Sequence, residues 1–344
     1  MTVTRAAIIG DGQMGLVLSD ALHERGIDVR LWGPFAENVE PLARDRHSPK
    51  RLREFRLADA IHVTADDADA LDGAQVIINA IPAQFIRSVW QRIRPHVPAD
   101  VPIACVSKGI EQNTLLRPTQ VIADVLAEGD ATKAHQLEQR MCSLSGPTIA
   151  AELARRLPAT MVAASPDDTV QHTIQDLFSV PWLRIYRNDD LLGVEIAGAA
   201  KNVIALSAGM VDGLEIGDNA KSALLARGLA EISRLGVALG AHIDTFFGVA
   251  GVGDLATTCF SPCGRNRTCG ERLGRGETLD DILGSMVDVV EGVPTARSIS
   301  QLAEQHNVDM PITKAVAAIL DGRMSPRDAI DALMNREPKA EAIG

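Results

Sequence analysis

Lys201 interrupts Val194-Glu-Ile-Ala-Gly-Ala-Ala-Lys-Asn-Val-Ile-Ala-Leu-Ser-Ala208, a stretch with helical spacing that is otherwise almost free of charge. Its neighbours one turn away are Ala197, Gly198 and Ala205, so the face around it is lined with small residues that leave room for a bound molecule. An ammonium on such a face is costly unless partnered. Desolvation lowers a lysine's pKa toward neutrality, which suits a proton donor to a carbonyl oxygen at cellular pH. The competing reading is a lysine whose stem lies on a core helix while its head reaches water. Farther on, Phe247-Gly-Val-Ala-Gly-Val-Gly-Asp254 places one carboxylate after a flexible glycine-rich approach, where it could hold Lys201 and tune its proton affinity. Cys263-Gly-Arg-Asn-Arg267 follows within a short loop. There Arg265 offers a charged fork and Asn266 an amide, a pair able to hold a phosphate. An ordinary surface loop has the same composition.

A second set of residues lies near the start of the chain. Gly10-Asp-Gly-Gln-Met-Gly15 follows a short apolar run and opens a stretch with helical spacing, giving strand, tight turn, helix. Gly10 allows the sharp turn, Gly12 lets a pyrophosphate approach the backbone, and Gly15 permits close packing of helix on strand. The helix N-terminus then offers backbone N–H groups to the phosphate. The next apolar run ends at Trp32-Gly-Pro34 with neither the acidic residue that reads an NAD ribose nor the basic one that reads an NADP phosphate. Arg51, Arg53 and Arg56 could supply a phosphate contact from a nearby loop or form a solvated basic face, so the cofactor is NAD or NADP. Lys108, in Val106-Ser-Lys-Gly-Ile-Glu111, lies just past a strand-like run, and Ser145-Gly-Pro-Thr-Ile-Ala150 is a second turn that contains glycine and proline. The carboxyl ends of strands in an open α/β sheet face the ligand crevice, which makes both segments candidates for lining it, against a surface lysine and a plain turn.

The elements that must position these residues divide the chain in two. Apolar runs at 5–10, 28–33, 76–80, 103–107 and 160–164 alternate with helical material and predict a Rossmann-like α/β domain with a mostly parallel sheet over residues 1–189. From 190 to 336 the texture changes to Ala-, Leu- and Gly-rich helical segments, placed at 191–210, 220–239, 278–286, 295–305 and 314–320, an all-helical domain. The polar end, 337–344, reads as disordered. The 344 residues are 46% hydrophobic and 23% charged, which is globular composition. A formal net charge of -11 argues against a nucleic-acid partner, although a few converging cations could still bind an anionic metabolite. No apolar run is seen to approach the ~20 residues of a membrane span, no signal peptide is visible, and the reading is cytoplasmic. Five cysteines, an odd number, point to reduced thiols, and Cys259, Cys263 and Cys269 lack the spacing and histidine of a zinc site, so no metal is expected.

Taken together the chain resembles the bacterial-type NAD(P)-dependent glycerol-3-phosphate dehydrogenases. The matching stretches are Gly10 to Gly15, Val106 to Glu111, Ser145-Gly-Pro-Thr148, Gly193 to Ala205, Gly217-Asp-Asn-Ala-Lys-Ser-Ala-Leu224, Gly251-Val-Gly-Asp-Leu255 and Arg265-Asn-Arg267, in order across nearly the whole chain. The resemblance implies reversible reduction of dihydroxyacetone phosphate to sn-glycerol 3-phosphate for glycerophospholipid synthesis. It makes Lys201 the proton-transfer residue, acting with Lys108 and Asp254, and implies that Lys108, Gly146, Thr148, Asp254, Gly264, Arg265 and Asn266 line the substrate site. Cofactor contacts would be Gly10, Gly12, Gln13, Met14, Gly15, Pro34, Lys108, Ala150, Arg265, Val290 and Glu291. The chain departs from the family at Gln13 and Met14, where a small hydroxyl residue and an aromatic are usual, at Pro34, where a basic residue often stands, and at Gly264, where a serine is usual. Rival readings are a two-domain dehydrogenase acting on a 3-hydroxyacid or a ketopantoate-like substrate, and a non-catalytic NAD(P) sensor. The partner implied is a small phosphorylated three-carbon compound, with no membrane, and the Ala- and Gly-rich helices suggest a homodimer.

Overall fold

The computed structural model describes residues 3–48, 50–338 and 340–341. The chain forms two compact units, one of residues 1–107 and 118–191 and the other of residues 108–117 and 192–344. A single cut near residue 190 therefore misses an excursion: Lys108–Arg117 leaves the first unit and belongs to the second. Of the polar end read as disordered, residues 339 and 342–344 lie outside the described residues.

The first unit is built on eight strands: β1 (Arg5–Ile9), β2 (Asp28–Trp32), β3 (His62–Thr64), β4 (Val76–Asn79), β5 (Ile103–Cys105), β6 (Met141–Ser145), β7 (Ala159–Ala164) and β8 (Leu183–Asn188). They lie in the order β3-β2-β1-β4-β5-β6-β7-β8. All neighbours are parallel except β6 and β7, which run antiparallel. β1 and β4 are apolar runs buried almost throughout, the pattern of strands covered on both faces. Strand order reverses about β1, and the register pairs Ile9 with Trp32 on one side and with Asn79 on the other. The carboxyl ends of β1, β2 and β4 are thus level, and the turns they feed start side by side at the switch point where such sheets bind ligands.

Three strands were not foreseen. β3 has only three residues, too few to show a period. β6 reads Met-Cys-Ser-Leu-Ser and buries both serines. β8 is an edge strand that buries Leu183 and Ile185 while Arg184 and Tyr186 face out, an alternation the sequence did contain.

The second unit is helical, and its axis is the helix Leu191–Gly213. This helix corrects an expectation: it is long and apolar enough to cross a membrane, with mean hydropathy 1.4 over its best window. However, 94% of that window is buried inside the protein, so its apolar surface serves a core. Helices Asp218–Ala238, Leu279–Ser285, Gly292–Gln305 and Pro311–Leu320 match sequence expectations closely. Ile243–Phe247, Asp254–Phe260, Arg265–Gly274 and Pro326–Met334 were not foreseen. The helix Arg265–Gly274 lies backbone to backbone on the central one. A Cβ at Gly209 or Gly213 would overlap the carbonyls of Arg267 and Glu271, and one at Gly270 would overlap that of Leu206. Glycines four residues apart on both helices permit this approach, and it sets the distance between Lys201 and the Arg265 turn. A second device is Glu231, 1% exposed, which accepts the backbone N–H groups of Ile312 at 2.7 Å and Thr313 at 3.1 Å and so caps the helix Pro311–Leu320. Burial pushes its carboxyl up to about 7 against those stabilising bonds.

Candidate functional site

In the sheet unit the site is made of backbone. Gly10 has φ +125°, and a Cβ there would stand 2.8 Å from the Ala80 carbonyl oxygen. A Cβ at Gly15 would overlap the Gly10 carbonyl. Gly12 differs, because nothing in the protein lies within 4 Å of where its Cβ would be. Its lack of a side chain therefore leaves an open approach to the N-terminus of the helix Gln13–Glu24, at whose N-cap position Gly12 supplies no capping side chain. Gln13 and Met14 are the first residues of that helix. An open, uncapped N-terminus beside level strand ends fits the pyrophosphate of a dinucleotide.

Around this turn, the Asp11 side chain lies against Gly33, and burial raises its carboxyl while Arg51 and Lys50 act in the opposite direction. The loop carrying Arg51 is therefore close to the end of β2. Arg92 donates to the Pro34 carbonyl at 3.2 Å and lies 5.1 Å from the Trp32 ring centroid. On the next part of the strand-end row, Gly146 has φ +147°, where a Cβ would meet the Thr160 carbonyl at 2.7 Å. Thr148 Oγ1 donates to the Gly146 carbonyl at 3.1 Å, and Ala150 opens a short helix. Sequence reasoning missed two residues here. Phe35 and Phe85 stand 56% and 51% exposed past the ends of β2 and β4, in a chain of only 3% aromatics. The Ser145 hydroxyl, at the end of β6, is buried with no hydrogen-bond partner among the described residues.

In the helical unit the site is made of charge. The glycine-rich approach is wound as a π-helix, Val249–Gly253, rather than a flexible loop. A Cβ at Gly251 would overlap the backbone of Phe246. This turn delivers Asp254 as the first residue of the helix Asp254–Phe260. Asp254 Oδ1 accepts from Lys201 Nζ at 2.6 Å, and Oδ2 accepts from Lys108 Nζ at 2.6 Å. One carboxylate, 1% exposed, is thus shared by two ammonium groups. Thr258, one turn on, accepts from Lys201 at 2.6 Å while its own proton goes to the Asp254 carbonyl at 2.7 Å. Among the described residues two of the three Lys201 N–H bonds are committed, which leaves one able to donate to an added acceptor.

Burial pulls Lys201 down to about 8, Asp254 opposes this, and the like charge of Lys108 adds to it. Lys108 reaches this cluster because the excursion is anchored within the helical unit. Ile110 is fully buried in its core, Arg117 pairs with the buried Glu195, and Asn202 Nδ2 donates to the Lys108 carbonyl at 3.0 Å.

Asn202 also links the cluster to the Arg265 turn. Its Oδ1 accepts from Asn266 Nδ2 at 2.9 Å, and Asn266 Oδ1 accepts the Gly292 N–H at 2.9 Å. Arg265 opens the helix Arg265–Gly274 after Gly264, instead of lying in a loop, and its guanidinium donates to the Val289 carbonyl at 3.3 Å. The turn is therefore tied to the segment carrying Val290 and Glu291. Val290 is 3% exposed, and its side chain belongs to the helical core. Asn202 and Thr258 were not singled out from sequence, although Thr258 stands one helical turn after Asp254 and Asn202 adjoins Lys201. Among the described residues no three His, Cys, Asp or Glu side chains gather as a metal site.

Comparison with known proteins covers both units. A family model described as NAD-dependent glycerol-3-phosphate dehydrogenase N-terminus matches residues 5–171, and one for the C-terminus of the same family matches residues 190–331. A Salinibacter ruber protein named glycerol-3-phosphate dehydrogenase (NAD(P)+) 1 is 43% identical over 97% of this chain and 96% of its own. A Geobacillus thermodenitrificans protein named glycerol-3-phosphate dehydrogenase (NAD(P)+) is 44% identical over 97% and 95%. The crystal structure of glycerol-3-phosphate dehydrogenase from Coxiella burnetii superposes with a TM-score of 0.89 at 30% identity, covering 97% of this chain and 99% of that one.

Proposed function

This chain belongs to the NAD-dependent glycerol-3-phosphate dehydrogenase family, and from that premise we propose that Lys201 Nζ carries the proton in its reaction. The activity is NAD(P)-dependent oxidoreduction between dihydroxyacetone phosphate and glycerol 3-phosphate, favoured over a hydroxyacid or ketopantoate-like substrate and over a sensor without turnover. Bound NAD(P)H supplies the hydride. As the ketone is reduced, the Lys201 ammonium gives its uncommitted proton to the carbonyl oxygen, and in the reverse direction the neutral amine accepts the proton of the alcohol. Asp254 and Thr258 hold the nitrogen in place through both states. The observation that carries this reading is a buried lysine whose pKa is pulled down to about 8 and which shares one buried carboxylate with a second ammonium.

In this reading Arg265 and Asn266, after Gly264, anchor the phosphate, and its remote binding energy orients the carbonyl. Lys108, Gly146 and Thr148 add substrate contacts. Gly10, Gly12, Gln13, Met14, Gly15, Pro34, Ala150, Val290 and Glu291 serve the cofactor, with Phe35 and Phe85 as aromatic faces for its rings. We place the enzyme in the cytoplasm, making the glycerol phosphate of glycerophospholipids, as a homodimer with no nucleic-acid or membrane partner. Initial rates of NADH and NADPH oxidation with dihydroxyacetone phosphate test the proposal, with ketopantoate and 3-hydroxyacids as comparison substrates. Turnover confined to the phosphorylated ketone, and lost in Lys201→Ala, is expected. Equal turnover of wild type and Lys201→Ala would remove Lys201 from the chemistry.

A further inference from the structure

The segment Gly217-Asp-Asn-Ala-Lys-Ser-Ala-Leu224 has no task in the reaction so far, yet it carries a lysine only 6% exposed. We propose that Lys221, with Asp212 and Arg267, forms a bracket that holds both ends of the turn presenting Arg265 and Asn266 and so positions the substrate's phosphate. The inference rests on the reading of Arg265 and Asn266 as the phosphate anchor.

The bracket joins four helices of the helical unit. Asp212 lies in the last turn of Leu191–Gly213, Lys221 in the first turn of Asp218–Ala238, Arg267 in the first turn of Arg265–Gly274, and Phe260 ends Asp254–Phe260. Lys221 Nζ donates to Asp212 Oδ1 at 2.9 Å and Oδ2 at 2.7 Å. Arg267 Nε forms an ion pair with Asp212 Oδ2 at 2.8 Å. The Lys221 ammonium lies 5.0 Å from the centroid of the Phe260 ring, which is 51% exposed.

Residues 261–264 run from Phe260 to Arg265, so the turn is held at its entrance by the ring on Lys221 and at its exit by the guanidinium on Asp212. The Lys221–Asp212 pair connects the two holds. Among the described residues the Arg265 guanidinium is tethered by the Val289 carbonyl alone, at 3.3 Å, while its neighbour Asn266 is fixed through Asn202 and Gly292. A cation over a ring and an ion pair largely removed from water are both stronger than their exposed counterparts. Asp212 is the centre of the device, since its loss removes the carboxylate that Lys221 and Arg267 share and leaves Arg267 paired with Glu271 Oε2, 3.3 Å away on its own helix. Loss of Lys221 frees only the entrance.

Steady-state kinetics of Asp212→Asn, Lys221→Met and Lys221→Arg, with Arg265→Ala as reference, test the bracket. A misplaced anchor weakens phosphate binding, so KM for glycerol 3-phosphate should rise on the order of 10-fold in Asp212→Asn and less in Lys221→Met. In both, kcat and the NADH dissociation constant should stay near wild type. Lys221→Arg, which can pair with the carboxylate and stack on the ring, should restore KM. Should Asp212→Asn fail to fold, Lys221→Met decides alone, because it keeps the Asp212–Arg267 pair. An unchanged KM in the folded variants overturns the bracket, as does a parallel loss of kcat, KM, cofactor affinity and melting temperature. If Arg265→Ala raises KM while neither bracket variant does, the anchor stands and the bracket falls. If Arg265→Ala leaves KM unchanged, the anchor reading fails and the bracket with it.

Discussion

The two units present their functional groups in opposite ways. In the sheet unit, the turn at Gly10–Gly15 works by shape: two glycines are required by the protein's own backbone, and the third stands beside open space at an uncapped helix end. In the helical unit, glycines only bring backbones together, and the chemistry lies in buried charges, with Lys201 and Lys108 each 2.6 Å from one carboxylate. A site made of backbone binds without changing its protonation. A site made of desolvated charges moves protons, and its behaviour depends on pH. The contrast predicts that substitutions in the two units fail in different measurements.

Replacing Lys201 by Ala should have the greatest consequence. It removes the proposed proton donor and should lower kcat by roughly 10²- to 10⁴-fold, the usual contribution of a positioned acid or base. Cofactor affinity should hardly change, and the fold should persist because Asp254 keeps Lys108 as its partner. A variant that lost cofactor affinity and turnover in proportion would erase the distinction between the two sites.

The glycine turn allows a separation within itself. Gly15→Ala forces a methyl into the Gly10 carbonyl and should lower the melting temperature together with cofactor binding. Gly12→Ala puts its Cβ where nothing beyond its chain neighbours lies within 4 Å and should leave the melting temperature within a few degrees, while weakening NADH binding by roughly 10-fold or more through loss of close approach to the helix N-terminus. Fluorescence titration with NADH beside thermal melts distinguishes them. Equal damage to stability in both variants would mean that the open face of Gly12 has no ligand to admit.

The same contrast explains what could be seen in the sequence. The strand, turn and helix around Gly10 were legible because apolar runs and glycine spacing are local signals, as were the longer helices with a clear period. β3 was too short, and β6 buried its serines against neighbours that only the sheet supplies. Lys201 stood out as a charge in an apolar helix, but its partners lie 53 and 57 residues away, and Lys108 lies 146 residues from Asp254. The transfer of Lys108–Arg117 to the helical unit depends on Ile110 packing in a distant core and Arg117 meeting Glu195, neither of which has a local pattern. Arg265 and Asn266 were read as a loop because the helix they open begins with three polar residues, and its buried face mixes Asn266 and Gly270 with Cys269 and Leu273 instead of showing a continuous apolar stripe.

The smallest effect expected is also the most specific to the charged site. Lys201 titrates near 8, so reduction, which needs the ammonium, should decline as pH rises through that value, while oxidation, which needs the free amine, should increase. The two neighbours act on this limb with opposite sign. Asp254 favours the charged lysine, so Asp254→Asn lowers the Lys201 pKa and moves both limbs to lower pH. Lys108 disfavours it, so Lys108→Met raises the pKa and moves both limbs upward, even as loss of the proposed substrate contact lowers the plateau. Profiles of kcat for both directions in the three enzymes measure the displacement independently of the plateau. A shift of the same sign in both variants would show that the limb reports some group other than Lys201.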